Sequence, residues 1–213
     1  NAAGVLLIRA FVKIITYIDG FNFYHSISNL LAAQNKPSKF KWVDFTKMAA
    51  LFLAGNDTIE KIYYFSAYAS RKPKSMQRHR VFVSILQDLG VKVVLGSFKR
   101  KSVHCTNCNT TILKHEEKQT DVNIAVQIMK DAYERNCECM QIVSGDTDLI
   151  PPIDFAKEQG IKIHIVLPPN QRARKLIALA DKKSKINFDR LQRIFLGETY
   201  TLKNKQIITC PYL

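Results

Sequence analysis

The chain has 213 residues, a net charge of +14 and a sequence pI near 9.6. Its 46% hydrophobic and 23% charged content is that of a globular α/β-sized core, and no apolar run approaches the roughly 20 residues that cross a bilayer. The chain reads as cytoplasmic, and with that setting the odd count of five cysteines, Cys105, Cys108, Cys137, Cys139 and Cys210, argues against a disulfide framework.

In chain order, residues 12–18 read as a strand that ends on Asp19-Gly20, with Asn22 close behind. Residues 22–34 read as a helix with Phe23, Ile27, Leu30 and Leu31 on one face. A loop follows, then a short helix over 45–53 and an aromatic-rich strand over 59–68. Residues 71–80 carry Arg71, Lys72, Lys74, Arg78 and Arg80 with no acid among them, at the start of a helix. Cations there oppose the helix dipole, and a phosphate would relieve the conflict; a solvated basic face is the plainer alternative. Gly90 ends the helix, and 91–95 is the third strand.

Residues 97–118 read as an inserted β-hairpin whose turn is the Cys105-x-x-Cys108 knuckle. Such a knuckle supplies half of a Zn²⁺ site, for which only His104 and His115 stand nearby; reduced cysteines are the other reading. Lys99, Arg100 and Lys101 make the hairpin a basic arm. Residues 120–135 form an amphipathic helix in which Thr120 is a candidate cap and Asp121 sits in the first turn. The fourth strand, 139–143, runs into Ser144-Gly145-Asp146-Thr147-Asp148, and a helix with Pro151 and Pro152 early follows. Residues 161–167 are the fifth strand, and 171–180 a helix with Arg172 and Arg174 near its start. Residues 181–213 form a basic C-terminal extension with an apolar face over 186–196.

Strands alternating with helices imply an α/β fold with a central parallel sheet and right-handed crossovers, one domain over 1–213 with its core at 13–180. Ligands bind such sheets beyond the carboxyl ends of the strands. Asp19, Asp121, Asp146 and Asp148 all fall where a strand ends or a helix begins. Helix capping accounts for each singly, at roughly 1 kcal/mol, but not for the recurrence. Several carboxylates at one rim repel unless a hard cation lies between them, so Mg²⁺ or Mn²⁺ is the expected ligand. An acidic cup within a basic surface suits a polyanion held by Lys and Arg. No GxGxxG follows the first strand, which argues against a dinucleotide cofactor.

Four stretches in order, Tyr17-Ile18-Asp19-Gly20-Phe21-Asn22, Gly96-Ser97-Phe98 with the CxxC hairpin, Glu116 to Asn123, and Val143 to Pro152, resemble the NYN family in its LabA-like (DUF88) branch, a relative of the PIN-domain nucleases. Thr147 stands where that family commonly has serine. The resemblance implies a Rossmann-like PIN/NYN three-layer fold and a metal-dependent ribonuclease, with Asp19, Asn22, Asp121, Asp146 and Asp148 as the catalytic set and the four aspartates as metal ligands. Ser144 and Thr147 hydroxyls would bond to carboxylate or phosphate, and Glu117 is either a fifth acid or an exposed one. Single-stranded RNA is the expected partner, contacted by Arg71, Lys72, Lys74, Arg78, Lys99, Arg100, Lys101, Lys118, Arg172 and Arg174; a homodimer is left open. The alternatives are a non-catalytic RNA-binding regulator and a metal-dependent phosphatase.

Overall fold

A computed structural model describes residues 12–68, 73–105 and 107–213, with the hairpin side chains of 99–101, 103, 105 and 112–117 outside the described set. Six strands form one parallel sheet: β1 (Lys13–Asp19), β2 (Thr58–Ser66), β3 (Lys92–Leu95), β6 (Cys139–Val143), β7 (Lys162–Leu167) and β8 (Lys182–Lys185). Their order is β3-β2-β1-β6-β7-β8, every neighbouring pair parallel. The order reverses between β1 and β6. The two crossovers leaving that point diverge, and a crevice opens at the carboxyl ends of these two strands.

Both sheet faces are covered, so the central strands are apolar nearly throughout. Alternate residues then go to opposite layers. Ile15 and Tyr17 of β1, Met140 and Ile142 of β6, and Ile163 and Ile165 of β7 pack with Ile124, Ile128 and Ala132 of α4 (Thr120–Tyr133) and Ile153 and Ala156 of α5 (Ile150–Glu158). Ile18, Val143 and Val166 point the other way. They meet Phe23, Ile27 and Leu31 of α1 (Gly20–Ala33), Phe45 and Met48 of α2 (Phe45–Ala50), and Val83 and Leu86 of α3 (Pro73–Asp88). This gives the expected three layers.

The hairpin, β4 (Ser97–Cys105) and β5 (Thr110–Lys118), pairs antiparallel from Ser97↔Lys118 to Cys105↔Thr110, as the sequence reading has it. Its exposed Cys108 thiol lies 2.8 Å from the Thr110 hydroxyl. Of the other members of the zinc expectation, His104 is exposed with its Nδ1 3.3 Å from the Thr111 hydroxyl, and Cys105 and His115 have side chains outside the described residues.

Three local readings change. The expected helix over 171–180 contracts to α6 (Arg174–Ala178), because Ala173 has φ +27, outside helical space. Thr120 does not cap α4; it is buried inside the first turn, and the residue before it is Gln119 at φ +78. The Lys182–Lys185 run, read as part of an extension, supplies the sixth strand, pairing through His164↔Lys182 and Leu167↔Lys185. Beyond it come α7 (Phe188–Arg193) and a small antiparallel pair, β9 (Thr199–Thr201) and β10 (Ile207–Thr209). That pair caps a third apolar cluster of Trp42, Ile85, Leu196 and Cys210.

Candidate functional site

Asp19 is the last residue of β1 and also the N-cap of α1. Its Oδ1 accepts the Asn22 N–H at 3.0 Å and its Oδ2 the Ser144 hydroxyl at 2.9 Å. The next residue must be glycine: a Cβ on Gly20 would come within 2.4 Å of the Tyr64 ring and 2.7 Å of the Phe65 carbonyl oxygen. Any larger residue would push α1 off the sheet and carry Asp19 with it.

The β6 side is built by the same kind of short-range bonding. The Asp146 N–H donates to Ser144 Oγ at 3.0 Å, and the Asp146 Oδ1 accepts the Asp148 N–H at 2.9 Å, opening a single 3₁₀ turn over Thr147–Leu149. The Gly145 N–H donates to Asn22 Oδ1 at 3.2 Å. Ser144 and Asn22 therefore tie the β1 and β6 ends into one unit. Gln171, which sequence reasoning missed, packs against the same unit: its amide donates to Ser26 at 2.9 Å, and a Cβ on Gly145 would come within 2.7 Å of it. Nothing in the local pattern marks Gln171, apart from its place just past the end of β7.

The capping role weighed for these acids is thus real for Asp19 and Asp146, and it does not exhaust them. Carboxylate oxygens of Asp19, Asp121 and Asp146 all lie within 4.8 Å of one another, with Asp121 delivered from the first turn of α4. Asp148 is not a member of that trio; its side chain is exposed on the 3₁₀ turn. Burial, as the largest effect, and the neighbouring Asp121 and Asp146 charges push the Asp19 carboxyl up to about 6, against the lowering effect of its Asn22 and Ser144 hydrogen bonds. Asp121 is likewise raised, by burial first and then by the charges of Asp146 and Asp148. Asp148 is therefore close enough to be felt. Three oxygens crowded this closely, two of them on groups whose ionised form is disfavoured, fit a hard divalent cation such as Mg²⁺ or Mn²⁺.

The cationic residues named from sequence distribute unevenly. Lys74, Lys118, Arg172 and Arg174 are exposed. Arg78 is half-buried with its guanidinium 5.5 Å from the Tyr212 ring centroid. Arg71 and Lys72, and the side chains of Lys99, Arg100 and Lys101, lie outside the described residues. Among the described residues no helix is long and apolar enough to cross a membrane.

The chain is 25% identical, over 88% of its own length and 72% of the relative's, to the 6-hydroxy-3-succinoylpyridine 3-monooxygenase HspA of Pseudomonas putida. A solved structure of a protein of unknown function from Vibrio parahaemolyticus superimposes with a TM-score of 0.61 at 19% identity, covering 84% of this chain and 95% of that one, a likeness of fold. The NYN domain model matches residues 13–187, which takes in all six strands of the parallel sheet and each acid described above. With that span matched, and with the acids meeting at the switch point of the sheet, the chain belongs to the NYN domain family.

Proposed function

We propose that the protein is a metal-dependent ribonuclease of the LabA-like branch, hydrolysing phosphodiester bonds of single-stranded RNA. The observation that carries this reading is the convergence of Asp19, Asp121 and Asp146 within 4.8 Å at the β1/β6 switch point, in a chain of net charge +14. Those three side chains would hold Mg²⁺ or Mn²⁺, with Asp148 nearby as a fourth acid, and the chemistry the ion would supply when bound is activation of water for in-line attack and charge stabilisation of the leaving oxygen. Ser144 and Asn22 hold Asp19 and the Gly145 backbone in register. Lys118 and Lys74, exposed on the hairpin base and the start of α3, would contact the RNA backbone.

The test is a cleavage assay on a single-stranded oligoribonucleotide with Mn²⁺ and with EDTA. The parent should cut only with metal. Asp146→Asn should lose cleavage by at least about a hundredfold while binding the oligonucleotide with near-parental affinity, since it removes one ligand and no phosphate contact. A variant that cuts like the parent would defeat the assignment. The Pseudomonas relative's name supplies a second reading, a small heteroaromatic substrate, for which the aromatic cavity described next speaks. Turnover of such a ring by a preparation that leaves RNA intact would decide for it.

A further inference from the structure

A cavity of about 420 Å³ opens directly beside the acidic cup. Gly20 and Phe21, the two residues after Asp19, form one wall. Ser66 and Ala67, which follow the residue paired with Asp19 in the sheet, form another. The remaining surface is largely aromatic: Trp42, Phe45, Tyr64, Phe82, Phe98 and Tyr212. Among the described residues no aspartate or glutamate lines it, whereas Lys41, Arg78, His25 and His79 do. Of the two sites this close together, one is acidic and the other aromatic and basic.

Lys41 and Arg78 supply its positive charge. The rim adds a stacking ledge. Phe21 and Tyr24 are 45% and 38% exposed, large for aromatic side chains, and both flank the His25 ring. Lys41 stands over the Tyr24 and Tyr212 rings, 5.5 and 5.8 Å from their centroids.

We infer that this cavity is a nucleobase pocket, receiving one unstacked base of the RNA whose neighbouring phosphate lies over Asp19, Asp121 and Asp146. The ligand class follows from the lining. Flat walls select a planar ring, and Lys41 and Arg78, beside an acidic cup that a metal would occupy, select a ring attached to phosphate. A hydrocarbon ring would make no use of the Lys41 and Arg78 charges, and a bare anion would make no use of the aromatic walls. The inference rests on the RNA reading of the adjacent site and extends it: base recognition here would make cleavage dependent on which nucleotide occupies the pocket.

Trp42 is the single tryptophan of the chain, so the pocket carries its own reporter. The experiment titrates the ¹⁵N-labelled protein, in EDTA, with each of the four ribonucleoside 5′-monophosphates, with ribose 5-phosphate, and with nicotinate. It follows the lone indole N–H resonance and the indole fluorescence. Nucleotides should shift that resonance saturably and quench the emission, and ribose 5-phosphate should do neither. Arg78→Gln should weaken nucleotide binding about tenfold, the loss expected for one charge-assisted hydrogen bond. Ala67→Leu, which fills the cavity without removing a charge, should abolish the shift; if it fails to fold, Arg78→Gln and the ligand series still decide. An equal response to ribose 5-phosphate would reduce the site to an anion contact and overturn the inference. So would a response to nicotinate alone, or to none of the probes. Parallel RNA cleavage keeps the two claims apart: cutting without nucleotide-induced shifts removes the pocket and leaves the nuclease, and the converse removes the nuclease and leaves the pocket.

Discussion

At the scale of single residues, the site is held by groups that serve two masters. Asp19 caps α1 with one oxygen and takes a hydroxyl on the other, and Asp146 caps its own turn. This is why the sequence made them findable: an aspartate at a strand end is visible as such, and a third and fourth in the same position exceed what capping needs. Asp148 shares the position but not the geometry, since its backbone, not its carboxylate, is bonded to Asp146. A spacing of two residues cannot distinguish those outcomes when the turn between them is 3₁₀. The crowding has a cost that can be read. Without metal, three carboxyls within 4.8 Å repel, and Asp146→Asn removes one charge while keeping a good cap. The metal-free variant should therefore be more stable than the parent by about 1 kcal/mol, a rise in Tm of about 3 °C for a chain this size. Adding Mn²⁺ should raise the parent's melting temperature and leave the variant's nearly where it was. Thermal melts in EDTA and in Mn²⁺ check both; a variant less stable than the parent in EDTA would show that the acids are not in mutual repulsion.

At the scale of elements, the strands with buried faces were legible and the sixth was not. β1, β6 and β7 are near-continuous apolar runs bounded by Gly or Pro, the pattern of a strand covered on both sides. The sequence of β8, Lys-Lys-Ser-Lys, has no apolar residue to alternate, because an edge strand bearing lysines needs none and is protected from further pairing by them. Its one inward polar group completes a buried row across four strands. The Thr16 hydroxyl donates to Gln141 Oε1 at 3.0 Å, the Gln141 amide lies 3.3 Å from His164 Nδ1, and His164 Nε2 lies 3.0 Å from the Ser184 hydroxyl. Burial, helped by the charge of Lys182, lowers His164 to about 4. The unfolded imidazole titrates near 6.5, so the unfolded chain binds a proton that the folded one refuses between those values. The neutral histidine's contribution is thus fully present above about pH 6.5 and is lost as pH falls toward 4, a difference on the order of 3 kcal/mol. Burial lowers His79 in the same direction, also to about 4. Urea unfolding between pH 7 and pH 5 should show the parent losing stability and His164→Gln losing distinctly less. Parallel curves would mean that His164 does not set the slope.

At the scale of the whole molecule, what the sequence hid is whatever many distant segments assemble. The lining of the aromatic cavity runs from Gly20 to Tyr212, and no window along the chain contains more than a fragment of it. Net charge is the opposite case: +14 is visible before any fold is known, but its placement is not. The sheet gives it two ends. Lys74 at the start of α3 and Arg174 at the start of α6 are exposed cations placed where a helix begins, a position that disfavours them until an anion arrives. Lys92 and Lys162 open β3 and β7, and so stand at the amino edge of the sheet, away from the cup. If RNA runs across the carboxyl edge, only the first pair should touch phosphate. Each phosphate contact to a single strand releases counterion worth about 0.7 in the slope of log affinity against log salt. Replacing Lys74 and Arg174 together by alanine should flatten that slope by about 1.4, and replacing Lys92 and Lys162 should leave it unchanged although the net charge falls equally. Equal flattening by both pairs would mean that the protein attracts RNA by its overall field and not along a track, and the cup would then meet its substrate without guidance from these two helix starts.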